Sequence, residues 1–393
     1  MKVLIAAASA ETHQMNRKIL LSGCSVVFAL LLCEAAGRWL VPSKYRLSQE
    51  HVTRDQNANF SPPIHAADPE IGWVLTPATV KSHPVGTLSN PAPAEVYSIS
   101  HGERLTSLQE RSGPLVIVTG ASYTFGQGVN DEDTSPWLLQ ERLPGSHVVN
   151  VAAMAYGTDQ ALLAAEREAV RFPDESRVVV LGFDDSQIDR NRCTERWLST
   201  LYPLGKPLFV RTGDEVQYQG LLKFWSFGNT VDKLVDHSTV MSRAFNVFFD
   251  HIHRIESHEG GTRLTVALIT TFARRFQSRG IKLVVVMLPY KWDYVPQAQA
   301  DRSYIVDQLR AANVPTMLMD IPRLPDGKID PHKFMVGTHP NRRYNSMLAD
   351  QLTQFLSDQD KVGVKSLLGR DKPSPRRKSV EVSENPDGKL RSN

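Results

Sequence analysis

The chain has 393 residues, 41% of them hydrophobic and 22% charged, with a formal net charge of +3. That length allows one large α/β domain with insertions or two modest domains. The small positive excess, part of it in the C-terminal tail, gives no argument for a nucleic-acid partner. Of the three cysteines, Cys24 and Cys33 lie in an apolar segment, which leaves Cys193 with no partner for a soluble disulfide and the chain with no Cys/His spacing for a metal.

In chain order, residues 1–18 read as a short N-terminal cytoplasmic segment, with Met15 as an alternative start. Ile19 to Cys33 is apolar, follows Arg17 and Lys18, and extends through Trp39, Leu40 and Val41. Residues 19–41 therefore have the length of one transmembrane signal anchor. A retained anchor ranks ahead of a signal peptide cleaved near Ala35 or Ala36. A lipoprotein at Cys24 ranks third, because the apolar run lies mostly after the LSGC phrase. Residues 42–113 form a polar, proline-containing linker with a small β-rich, membrane-proximal module at Asp68 to Pro77 and Tyr97 to Leu105.

From Leu115 strands and helices alternate, which predicts a mostly parallel sheet over residues 114–358. Strands are expected at Leu115 to Thr119, His147 to Val151, Arg177 to Leu181, Ile281 to Leu288 and Thr316 to Met319. Helices are expected at Ser135 to Arg142, Thr158 to Arg171, Arg263 to Arg279, Ala298 to Ala311, and from just after His339-Pro340 to about Leu356. Residues 185–260 interrupt this rhythm and read as an insertion beside the active-site face, with a hairpin at FVRTGDEVQYQ. Residues 359–393 are basic and polar and read as a disordered tail.

The segment LVIVTGASYTFGQG, Leu115 to Gly128, carries the main chemical signal. A β-branched run stops at Gly120 and delivers Ser122 at the carboxyl end of a buried strand, where ligands bind in open α/β sheets. A bland reading of Ser122 is a helix N-cap. His339, in GTHPN before the last helix, is a candidate general base, with His332 as a weaker rival. Asn150 and Asn191 read as turn-holding residues, Asp184 and Asp185 as a solvated loop pair, and Asp131, Glu132 and Asp133 as charges that suit a helix N-terminus.

The stretch around Ser122 resembles block I of the SGNH/GDSL hydrolases, and the similarity continues through GVNDEDTSPWLLQERLPGSHVVNVAAMAYGTDQALL, VVVLGF, KLVVVMLP and THPN. It covers about Asp68 to Leu356, and is greatest with membrane-linked bacterial members. The resemblance implies an SGNH-hydrolase-like, flavodoxin-like three-layer fold: a mostly parallel sheet flanked by helices and preceded by one transmembrane helix. It implies Ser122 as nucleophile, His339 as base, and an oxyanion hole from Ser122, Ala152 and Ser186. It implies no cofactor and no metal. The substrate would be an ester on a glycan, lipid or small molecule. The location would be the bacterial inner membrane, single-pass, with the main domain periplasmic.

The chain departs from the family pattern at Ala121, Ala152, Ser186 and Val336. Val336 stands where the family has the acid of a triad, so a Ser–His dyad is expected, with Asp330 or Asp326 as carboxylates that could fold back. The expected function is an esterase, deacylase or acyl-transfer enzyme. The alternative is a catalytically degenerate relative that binds a glycan or protein partner. On the hydrolase reading, Ser122 and His339 are expected at one end of the sheet, about 2.6–4 Å apart.

Overall fold

The computed structural model describes residues 60–61, 63–82, 95–193, 205–222, 256–290 and 295–358, with isolated positions at 22–36 and 251. The segment 1–18 expected to be cytoplasmic, most of the expected anchor at 19–41, the expected tail at 359–393 and much of the expected insertion lie outside the described residues. Among the described residues no helix is long and apolar enough to cross a membrane.

Five parallel strands form the centre: β7 (Leu115–Gly120), β8 (His147–Asn150), β9 (Ser176–Phe183), β12 (Lys282–Met287) and β13 (Thr316–Leu318). They lie side by side in the order β8-β7-β9-β12-β13. The chain thus starts at β7, goes one way to β8, and returns past β7 to β9. That reversal is a topological switch point, and it falls at the carboxyl end of β7. The register runs Val118 opposite Asn150 on one side and Gly120 opposite Gly182 on the other.

Alternate residues of each strand feed two cores, as the two-residue period requires. Leu115, Ile117, Val179, Leu181 and Val285 face one layer of helices, at Thr158–Arg171, His258–Gln277 and Pro296–Ala311. Val116, Val118, Val180, Val284 and Val286 face a second layer, at Ser135–Arg142 and Arg342–Ser357. In chain order these helices, with three short ones, are α1 (Ser122–Phe125), α2 (Ser135–Arg142), α3 (Thr158–Arg171), α4 (Ser186–Asn191), α5 (His258–Gln277), α6 (Pro296–Ala311), α7 (Pro331–Phe334) and α8 (Arg342–Ser357). The fold is a three-layer α/β sandwich, and the helices expected from periodicity are present with ends shifted by a few residues.

The segment before β7 adds antiparallel strands to the same sheet. β4 (Ala78–Ser82), β5 (Val96–Ser100) and β6 (Glu103–Arg104) continue it beyond β8, with β1 (Phe60–Ser61) on the outer edge. Arg104 pairs with Asn150 at the junction. The DPEIGWVLTP phrase supplies the turn and second strand of a separate hairpin, β2 (His65–Asp68) and β3 (Gly72–Leu75). Asp68 Oδ1 closes its turn by accepting from Glu70 N and Ile71 N. The hairpin docks on the loop after β8 and on α3: Tyr156 Oη donates to Trp73 O at 2.8 Å, and Gln160 Nε2 donates to Ile71 O at 2.9 Å.

The expected insertion hairpin is β10 (Lys206–Thr212) and β11 (Glu215–Leu222), turning at Gly213-Asp214. Phe209 stacks edge-on against Phe272 of α5, which fixes the hairpin on the outer side of that helix layer. Lys206 is buried against Asp159, which is fully buried. Removing one member of such a pair leaves an uncompensated buried charge, whereas the pair as a whole adds little net stability.

A second ionic cluster fastens the antiparallel extension to α3. Arg171 Nη1 donates to Glu103 Oε1 at 2.5 Å and to Glu168 Oε1 at 3.3 Å. Burial, and then the negative charge of Glu103, push the Glu168 carboxyl up to about 7. His147 of β8 and Glu175 belong to the same electrostatic neighbourhood. The folded pKa of Glu168 is above its unfolded value, so the protonated form stabilises the fold. That contribution is complete below the ordinary Glu range and is lost as pH rises through about 7. Glu168→Gln is therefore expected to flatten the fall of melting temperature between about pH 5 and about pH 8. Thermal melts across that interval check it; a slope unchanged by the substitution contradicts the assignment.

Candidate active site

β7 ends against a close approach. Gly120 has φ +152°, and a Cβ there would collide with Thr124 Oγ1 and lie 2.6 Å from Gly182 O. A Cβ on Gly182 would meet the same Thr124 hydroxyl. The two facing glycines therefore let the one-turn helix α1 sit directly on the strand ends. Ser122 is its first residue and is 8% exposed. Its N-cap position is taken by Ala121, so Ser122 is not the cap that a local reading allowed.

His339 arrives from the far end of the chain. Met335–Val336 (β14) and His339–Pro340 (β15) form a two-residue antiparallel pair with Val336 opposite His339. Asn341 then caps α8, its Oδ1 accepting from Tyr344 N at 3.2 Å. The apolar face of α8, from Tyr344 to Leu356, is buried against the second core, so the helix holds the hairpin over the sheet end. His339 Nε2 lies 3.1 Å from Ser122 Oγ. Its Nδ1 faces Thr338 Oγ1 at 3.3 Å. With Nδ1 protonated and donating to that hydroxyl, Nε2 is left to accept the serine proton.

This chain is similar to GDSL-type esterases of known structure. One is the psychrotrophic esterase EstA from a Pseudoalteromonas species, 11% identical with a TM-score of 0.35, over 63% of this chain and 98% of that one. A second is a GDSL-like lipase from Bacteroides thetaiotaomicron, 13% identical with a TM-score of 0.35, over 61% of this chain and 86% of that one. A third is a carbohydrate esterase whose active site displays divergent catalytic and non-catalytic binding functions, 13% identical with a TM-score of 0.34, over 66% and 68%. No family model and no curated protein matches the chain. At these identities and scores, the chemistry has to be argued from the site's own geometry.

The other predicted site residues fall as follows. Ala152 follows β8, and its N–H donates to Asn150 Oδ1 at 3.2 Å. Ser186 opens α4, and both its N–H and its hydroxyl donate to Asp184 Oδ1. Two of the three expected oxyanion donors are thus committed to neighbouring oxygens. Ser122 N–H, first in its helix, has no intrahelical acceptor to face. Asp184 is 1% exposed, which corrects the reading of a solvated pair: the strand end is roofed, and the carboxylate is used to turn the chain into α4. Asp330 caps α7 by accepting from His332 N at 3.0 Å, and Asp326 pairs with Lys328 at 2.7 Å. His332 is exposed on α7, whereas His339 is the histidine beside Ser122. Asn150 and Asn191 hold turns as expected, Asn191 Oδ1 accepting from Thr158 N at the start of α3.

Sequence reasoning missed the aromatic support of His339. Tyr123 is next to Ser122, packs edge-on against the imidazole with centroids 5.6 Å apart, and donates its hydroxyl to Thr338 O at 3.0 Å. Tyr290 and Tyr344 pack in turn against the Tyr123 ring. Sequence reasoning also missed Gly128, whose φ is +93° and where a Cβ would lie 2.9 Å from Val336 Cγ1 and 3.6 Å from His339 Cβ. The loop that follows Ser122 therefore buttresses the hairpin that carries His339. Gly128→Ala should strain this contact, lowering stability by about 1–2 kcal/mol and the reaction rate of Ser122 with a phosphonate by about tenfold or more. Rates of covalent labelling alongside thermal melts check this. A labelling rate equal to wild type would mean that the buttress does not set the Ser–His geometry.

Proposed function

We propose that the protein is a divergent SGNH/GDSL-type serine hydrolase that cleaves or transfers an acyl group held as an ester on a glycan or lipid. The observation that carries this reading is the 3.1 Å approach of Ser122 Oγ to His339 Nε2 at the switch point of the sheet. In the proposed reaction Ser122 Oγ attacks the ester carbonyl while His339 Nε2 takes its proton. The tetrahedral oxyanion forms beside Ser122 N–H. Collapse expels the alcohol, which takes the proton from the imidazolium. Water, or a second alcohol in acyl transfer, then repeats the sequence on the acyl-serine. The Thr338 hydroxyl on Nδ1 orients the ring. Being neutral, it stabilises the imidazolium less than a carboxylate would, and a correspondingly low rate is expected.

The proposal extends to place. The apolar run from Ile19 to Cys33 supports a single-pass anchor in a bacterial inner membrane. Basic residues flank it on both sides, Arg17 and Lys18 before and Arg38 and Lys44 after, so the periplasmic placement of the α/β domain rests on the resemblance to membrane-linked SGNH hydrolases. A second reading, a non-catalytic binder of a glycan or protein, is favoured by one observation: the committed donors at Ala152 and Ser186.

Turnover of aryl esters of increasing acyl length by the purified protein separates the two readings. An enzyme is expected to lose about 10³-fold or more of its turnover in Ser122→Ala and in His339→Ala, with unchanged melting temperatures. A protein with no turnover on any ester, whose Ser122→Ala variant keeps its role in the cell, is the binder.

A further inference from the structure

One buried charged side chain near the site has no part in the reaction above. Arg104 ends β6, and its side chain is 0% exposed. Its guanidinium donates in three directions into the loop after the nucleophile. Nη1 reaches Phe125 O at 2.9 Å and Gly126 O at 2.7 Å, and Nη2 reaches Val129 O at 2.7 Å. Nε donates to Asp131 Oδ1 at 2.8 Å, which balances the charge. The rings of Tyr97 and Phe125 cover the guanidinium at 4.4 and 4.7 Å. Three converging carbonyls need a planar, multi-donor cation at their centre, and a lysine ammonium cannot reproduce that fork.

The loop gathered this way connects the two reacting side chains. At one end, Gly126 N and Gln127 N both donate to Ser122 O, so the loop's conformation is tied to the nucleophile's own backbone. At the other end, Gly128 abuts Val336 and His339, while its N–H donates to Tyr97 Oη at 3.3 Å. Asp131 also accepts from Ser98 N at 3.0 Å, which anchors the loop's exit to β5. Asn150, the residue that pairs with Arg104 across the sheet, adds its Nδ2 to Phe125 O at 3.4 Å.

We propose that Arg104 is a positioning residue for the Ser122–His339 pair: it sets their separation by drawing the carbonyls of Phe125, Gly126 and Val129 around one guanidinium. This rests on the hydrolase reading of the pair. It also assigns a role to the antiparallel extension before the α/β core, which delivers Arg104.

The test uses the full chain. Arg104→Lys keeps a positive charge beside Asp131 and loses the fork. The double variant Arg104→Met with Asp131→Asn removes both charges at similar volume, so neither is left buried alone. In whichever variant folds, kcat for an aryl ester is expected to fall about 10- to 100-fold with KM within about threefold, the pattern of a lost geometry and not of lost substrate binding. The ¹⁵N shifts of the His339 imidazole are expected to move with it. A folded variant with kcat within about twofold of wild type and unchanged imidazole shifts overturns the proposal. So does failure of both variants to fold, because Arg104 would then serve folding alone. If the wild type turns over no ester, the hydrolase reading fails separately. The imidazole shifts of wild type and Arg104→Lys still report whether Arg104 sets the geometry.

Discussion

The site depends on how closely a helix can approach the ends of two parallel strands. Thr124, two residues after Ser122, sits where side chains on Gly120 and Gly182 would have to be. Those glycines face each other across β7 and β9, the pair of strands that flank the reversal of sheet order. With no Cβ on either, α1 lies flat on the sheet and presents Ser122 at its edge. A methyl at either position would lift the helix and Ser122 with it. Parallel strands buried on both faces hold this floor rigid, since Val116 to Val118 and Val178 to Val180 are packed between two helix layers.

Everything else that the site needs is brought to that floor from a distance. His339 comes 217 residues after Ser122 in the chain, carried by a hairpin whose position follows from the burial of α8. The loop brace comes from the antiparallel strands before β7, through Arg104 and Asp131. Both supports meet at Gly128, which touches the hairpin of the base from within the braced loop. The geometry of the pair is thus a property of three separate segments. Buried polar networks of this kind specify one arrangement only when every member is satisfied, and here the guanidinium meets four acceptors.

The parts legible in the sequence were those with a local physical cause. The valine-rich runs with glycine stops marked β7 and β9. The 3.6-residue spacing marked α3, α5 and α8, and the Gly-Asp turn marked the β10–β11 hairpin. The position of Ser122 followed from the strand end, whereas that of His339, in a loop immediately before an amphipathic helix, followed from the resemblance to the SGNH hydrolases. The parts that stayed hidden depend on partners far away in sequence. Nothing around Arg104 distinguishes it from a surface arginine, because three of its four acceptors are main-chain carbonyls, which every residue type supplies. Asp131 looked like a helix-terminus charge for the same reason: its partner is 27 positions earlier. Ala152 and Ser186 carry donors of the right kind, but their commitment to Asn150 and Asp184 follows from side-chain directions that spacing does not encode.

If Ser122 is the nucleophile and His339 its base, the rate at which an organophosphonate modifies the protein must follow the ionisation of that imidazole. The most direct measurement is the pH dependence of this rate, read by intact-protein mass spectrometry with the adduct mapped by peptide sequencing. The expected result is a single adduct on Ser122 whose rate rises through one ionisation in the histidine range, about 6–8, and loses that dependence in His339→Gln. Modification that spreads over several hydroxyls, or a Ser122 rate indifferent to both pH and His339, would contradict the central claim.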